Sequence, residues 1–392
     1  MMRAVPDVSY AMILTRHAER AAVAVRSIAQ QTPDGELLLV LNDADNEMRA
    51  FAQTLELDGA GGTRVLHDGS DIGVVSGWNL ALREARAAHV CVVHEDAELR
   101  PGCAARLLKT LRERPEAGSV SPRVLLPDGS AKDGAIIWSD AAGSRLEAAS
   151  DTSVRAVDYS GSSCLMLSRE AALGVGGFDQ RFFPAIYVDV SLGVALWQAG
   201  RVCLCDPRAV HFHHTAAMVD EARGPRRSTR FRHFLVERNR ARFRDVFSDW
   251  LAEQADRCDA HDASRVLRAE QEDAQARTRA REQRALAAPL VPLPDRLTLD
   301  GDPEATALLL RRALEDEFMA ELIEREQALA GEAADLHRGY AELHVERDRM
   351  HRRYAELHAE LDRVHAEYAA LWDDRERLRE IAAPLLAKEE HA

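Results

Sequence analysis

Gly176-Gly177-Phe178-Asp179 opens a stretch that runs through Arg181-Phe182-Phe183, an isolated carboxylate at Asp189, a turn at Gly200 and a short apolar run into His211-Phe212-His213-His214. Upstream, Val90-Cys91-Val92-Val93 reads as a buried strand and ends in a second acidic turn, His94-Glu95-Asp96. Two acidic turns after strands, followed by a histidine cluster, suit a divalent cation and a general base.

Working outward, strand and helix signals alternate over roughly the first 215 residues. Val8 to Leu14 and Glu36 to Leu41 are apolar runs that fit strands buried on both faces. Thr63 to His67 is a further short strand, while Glu19 to Gln30 and Val74 to Ala87 have helical spacing. Strands separated by helices predict an α/β, Rossmann-like fold, a mainly parallel sheet with helices on both faces. Ligands of such sheets bind beyond the carboxyl ends of the strands. That singles out Thr15-Arg16, Asn42-Asp43 and His94-Glu95-Asp96.

At 392 residues the chain has room for two or three domains, and its net charge of −14 argues against a nucleic-acid partner. The six cysteines are scattered, mostly in apolar runs that suit core packing, although Cys203-x-Cys205 also has the spacing of a zinc pair. No apolar segment has the length of a signal peptide or a membrane span, so a cytoplasmic protein is expected, with contact at the inner face of the membrane as an option.

The motifs together resemble family 2 glycosyltransferases of the type A glycosyltransferase fold, over about residues 5–247. Ser160-Gly161-Ser162-Ser163-Cys164-Leu165 followed by Gly176-Gly177-Phe178-Asp179 carries the most specific part of the likeness. Val236-Glu237-Arg238-Asn239-Arg240 resembles the helix that follows the family's catalytic core. The resemblance implies an inverting transfer of sugar from a nucleotide-diphosphate sugar to a glycan or lipid-linked acceptor at the cell surface. It implies Asp189 as catalytic base and Mg2+ or Mn2+ held by Asp96, with His94, His213 and His211 as further ligands. It places Thr15, Arg16, Asn42, Asp43, Asp71, Asn79, Glu95 and Asp96 around the nucleotide. Four positions depart from the family pattern: Asn42, His94, Val188 and Ser191. Loss of acidic neighbours at Val188 and Ser191 makes Asp189 less basic, burial makes it more so, and sequence leaves the sign open. The rival reading is a weak or inactive glycosyltransferase-like scaffold that works through its C-terminal helix.

That helix carries an internal repeat. His337–Met350, His351–Val364 and His365–Leu378 are copies of one 14-residue unit built on Tyr-Ala-Glu-Leu or Tyr-Ala-Ala-Leu. Leu336, Tyr340, Leu343, Arg347, Met350, Tyr354, Leu357, Leu361, Val364, Tyr368, Leu371, Arg375 and Leu378 follow a strict alternation of four and three, a coiled-coil seam. The predicted layout is a catalytic domain over 1–250, a helical and Pro-containing linker over 251–300, and a coiled coil over 301–392 that makes a homo-oligomer or docks a partner. In the Arg-rich segment from Arg223 to Arg244, the Arg223–Arg232 run offers an arginine to screen phosphate charge, and the helix offers a peripheral membrane contact.

Overall fold

The computed structural model describes residues 5–31, 35–55, 62–138, 143–148, 151–214, 229–253, 286, 288–293, 302–330 and 336–389. Strands β1 (Ser9–Leu14), β2 (Glu36–Asn42), β3 (Gly62–Gly69) and β4 (His89–Val93) form a parallel block in the order β3-β2-β1-β4. Helices α1 (Ala18–Ala29), α2 (Asn46–Gln53) and α3 (Gly73–Glu84) connect them. β1 shows why its run is apolar throughout. Ala11 and Ile13 join one core with Val75, Trp78 and Leu82 of α3. Tyr10, Met12 and Leu14 join the other, with Ala21, Val25 and Ile28 of α1. Successive side chains alternate faces and each face is covered by helix.

Beyond β4 the sheet departs from the expected mainly parallel pattern. β5 (Ala97–Leu99), α4 (Cys103–Glu113) and β6 (Ala117–Leu125) lead into the antiparallel pair β7 (Ala131–Trp138) and β8 (Gly143–Ala148). After β9 (Arg155–Val157), strand β10 (Cys164–Ser168) inserts antiparallel between β4 and β6. No helix among the described residues separates β7 from β10, so the chain lacks the crossover that a parallel return requires. Helices α5 (Arg169–Gly174) and α6 (Val188–Gln198) follow, then β11 (Val202–His213), which is parallel to β6 and antiparallel to β5 and β9.

Three further helices are α7 (Thr229–Val246), α8 (Pro303–Ala330) and α9 (Leu336–Glu389). The chain divides into compact units 1–321 and 322–392, not at the expected boundaries near 250 and 300. The reason is hydrophobic: Ala307, Leu310 and Leu314 of α8 are buried in the same core as Phe231, Phe234 and Phe243 of α7. α9 bears out the long C-terminal helix. Its seam residues Met350, Tyr354, Leu357, Leu361, Val364, Tyr368 and Leu371 are exposed in the single chain. The side chains of Leu336, Tyr340, Leu343 and Leu378 lie outside the described residues, as do most of the 251–300 linker and Arg223, Arg226 and Arg227. Cys203 and Cys205 are fully buried, and burial pushes both thiols up to about 12, which suits core packing and not a thiolate pair for zinc. No helix of the described residues is long and apolar enough to cross a membrane.

Candidate active site

The acidic turn after β4 and the end of β11 meet through strand pairing. β5 leaves the turn and runs antiparallel to β11, with Ala97 opposite His213 and Leu99 opposite His211. The His214 amide donates to the Asp96 carbonyl at 3.0 Å, closing the pairing. His213 is thereby delivered beside Asp96, with Nε2 3.2 Å from Oδ1. His94 stacks on the buried Trp78 ring, centroids 6.2 Å apart and planes 10° from parallel. Ligand atoms of His94, Asp96 and His213 all lie within 4.8 Å of one another.

Electrostatics prepare this group for a cation. Burial, helped by the neighbouring His213, holds the His94 imidazole down at about 4, so it is neutral at pH 7 with a lone pair to give. Burial pushes the Asp96 carboxyl up, but the hydrogen bond and charge of His213, together with His94, outweigh it and keep the group below its ordinary value. His94 Nε2 is buried and makes no hydrogen bond, and Asp96 Oδ1 is faced by the His213 ring at 3.2 Å. Buried polar atoms without partners are costly. Two imidazoles and a carboxylate fit a divalent transition-metal ion such as manganese. His211, expected as a further ligand, stands apart from the group: it is fully buried and its Nε2 pairs with Ser163 Oγ at 2.9 Å. Burial lowers its pKa to about 3.

Asp189 sits in the first turn of α6. Its Oδ2 accepts from the Ser162 amide at 3.1 Å and its Oδ1 from the Val190 amide at 3.0 Å. Desolvation pushes its pKa above the usual carboxylate value, outweighing the hydrogen bonds that pull it down. Val188 is packed in the core, and Ser191 is buried with its hydroxyl on the Val188 carbonyl. Ser162 and Ser163 tie the two centres together. One bonds Asp189, and the carbonyl of the other accepts from the His94 amide at 3.0 Å.

The expected nucleotide residues divide. Thr15 and Glu95 satisfy each other, the Thr15 amide and hydroxyl donating to Glu95 at 2.9 and 2.6 Å, and so clamp the ends of β1 and β4. Asn42 is spent inside the fold: Nδ2 donates to Asp71 Oδ1 at 2.8 Å and Oδ1 accepts from the Ile72 amide at 2.7 Å. Asp71 also receives the Gly73 amide. Asp43, at φ 53, is exposed and pairs with Arg16 at 3.4 Å, so these two stand at the rim of the β2 end. Asn79 is used differently from the expectation. It is 3% exposed, and both ends of its amide bond the Phe178 backbone at 2.8 Å, holding the Gly-Gly-Phe-Asp loop against α3.

Sequence reasoning missed Trp78 as the surface behind His94, Ser163 as the partner of His211, and Arg311, whose guanidinium donates to the Asp71 carbonyl from α8. Trp78, two residues after Ser76 in a buried helix, carries no local signal that it faces His94.

Residues 12–159 match the model of glycosyl transferase family 2. The chain is 33% identical over 149 residues to N-acetylglucosaminyl-diphospho-decaprenol L-rhamnosyltransferase from two strains of Mycobacterium tuberculosis, covering 32% of this chain and 47% of that protein. It thus spans about half the length of these curated relatives. Among solved structures, the mannosyltransferase PcManGT from Pyrobaculum calidifontis, in complex with GDP-Man and Mn2+, is similar at 15% identity and TM-score 0.43, over 87% of this chain and 81% of that one. GalNAc-T7 with UDP, GalNAc and Mn2+ is similar at 12% identity and TM-score 0.45, over 55% of this chain and 45% of that one.

Proposed function

We propose that the chain is an inverting glycosyltransferase that moves a sugar from a nucleotide-diphosphate sugar to a hydroxyl of a glycan or lipid-linked acceptor. The observation that carries the reading is the His94, Asp96 and His213 group, in which the buried His94 Nε2 has no hydrogen-bond partner, joined through Ser162-Ser163 to Asp189. Asp189 accepts the proton of the acceptor hydroxyl at Oδ1 or Oδ2, its raised pKa making it a better base than an exposed carboxylate. The deprotonated oxygen attacks the anomeric carbon from the face opposite the leaving diphosphate, which inverts that centre. Asp43 and Arg16 face the nucleotide at the end of β2, and Asn42 with Asp71 sets the loop on which they stand. Asp96, His94 and His213 would hold magnesium or manganese, which neutralises charge on the leaving diphosphate when bound. The relatives' lipid-diphosphate acceptor supports the same class here. The α9 seam, apolar and exposed, supports a homo-oligomer through a coiled coil. Turnover against a panel of nucleotide sugars and lipid-diphosphate acceptors, with manganese or EDTA, tests the reading. Transfer that depends on metal and on Asp189 is expected. Firm binding of nucleotide diphosphates without any transfer would point instead to a scaffold.

A further inference from the structure

We propose that Arg238 and Asn239 of α7 are positioning residues for Asp189, and that Glu317 of α8 completes the device. The inference rests on Asp189 as base. The turn that launches α6 contains two consecutive non-glycine residues in the left-handed region, Ile186 at φ 71 and Tyr187 at φ 67. A β-branched side chain resists that conformation. Such a backbone persists only where its surroundings over-determine it.

The surroundings here are one asparagine and one arginine. Asn239 Nδ2 faces the carbonyls of Ala185 and Ile186 at 2.8 Å each and of Phe182 at 3.3 Å. Arg238 Nη1 donates to the Phe183 carbonyl at 3.0 Å and to Asn239 Oδ1 at 2.7 Å, which fixes the orientation of that amide. Both residues are fully buried. The Arg238 charge is answered by Glu317, to which its Nε donates, and Arg242 donates to the other Glu317 oxygen at 2.5 Å. Glu317 is 2% exposed, so water offers neither arginine a substitute.

The turn is also pinned on its other side. The Pro184 carbonyl accepts from the Val74 amide at 2.8 Å. Gly73, at φ 74, leaves no room for a Cβ, which would stand 2.6 Å from the Phe183 ring. Residues 182–187 therefore connect the start of α3, next to Asp71, with Asp189. Moving the turn moves the base relative to the nucleotide.

The test uses the full chain and two variants, Asn239→Ala and Glu317→Gln, so that one misfolded protein does not end the experiment. Amide hydrogen exchange at residues 186–191 is expected to quicken ~10-fold or more while β1 and β4 stay protected. kcat is expected to fall ~10- to 100-fold with the donor KM within ~2-fold, because misplacing a catalytic group costs rate and not ground-state binding. Unchanged exchange at 186–191, or a lowered melting point with kcat per folded molecule unaltered, would overturn the proposal and leave a purely structural role. The exchange readout needs no activity. It separates failure of this inference from failure of glycosyl transfer itself.

Discussion

His213 Nε2 lies 3.2 Å from Asp96 Oδ1 because β5 runs antiparallel to the end of β11 and sets Ala97 opposite His213. The acidic turn and the histidine cluster, more than a hundred residues apart in the chain, become one group through that register. A one-residue slip would turn His213 to the other face of the strand.

The first prediction follows from that group. Asp96→Ala should lose most of the manganese-dependent part of nucleotide diphosphate binding, on the order of 10- to 100-fold in affinity, and His213→Ala somewhat less. Calorimetry with manganese and with EDTA separates the metal-dependent part. Equal affinity in both conditions for wild type and variants would remove the metal from His94, Asp96 and His213.

A second prediction concerns pH. Desolvation raises the Asp189 pKa in the folded state. The unfolded carboxyl, at ~3.9, therefore ionises first as pH rises, and keeping Asp189 ionised in the fold costs stability at neutral pH. Asp189→Asn keeps one acceptor oxygen, for the Ser162 amide but not also for the Val190 amide, and sheds that cost. Its melting temperature should exceed that of wild type at pH 7, and the gain should vanish below about pH 4. A variant that melts lower at pH 7 would show that the Ser162 and Val190 bonds outweigh burial.

Much of this was legible in sequence where the signal is local. The apolar runs at Val8–Leu14 and Glu36–Leu41 became β1 and β2 almost residue for residue, because a strand covered on both faces must be apolar throughout. His94, Asp96 and His213 were found from turn chemistry and resemblance together. What escaped depends on partners distant in the chain. Asn79 reads as a nucleotide ligand until Phe178 is seen across its amide, and Thr15 until Glu95 is. Glu317 sits in a charged helix that looks detachable from sequence. Only packing reveals that Arg238 and Arg242 are buried against it.

Third, the boundary at Glu321 has consequences for truncation. A chain ending at Asp300 loses buried Leu310 and Leu314, ~1.5–3 kcal/mol each, and strands two buried arginines, a further ~3–5 kcal/mol. Those losses rival the ~5–15 kcal/mol stability of a typical domain. The product should be unfolded or aggregated by circular dichroism and light scattering, whereas a chain ending at Ala330 should fold. A cooperative melt for the shorter form would contradict the role of α8.

Fourth, the exposed α9 seam predicts association. Full-length protein should be larger than a monomer by light scattering, and Leu357→Glu with Leu361→Glu should reduce it to one, since charges at seam positions cannot be buried in a coiled coil. An unchanged oligomer would place the interface outside α9.

The central claim is that Asp189 takes the proton from the acceptor. Its most direct measurement is the single-turnover rate of Asp189→Asn with a competent donor and acceptor at saturating manganese, alongside nucleotide diphosphate affinity. The account predicts a rate at least ~100-fold below wild type with affinity unchanged. A variant that turns over at a rate near wild type would contradict it.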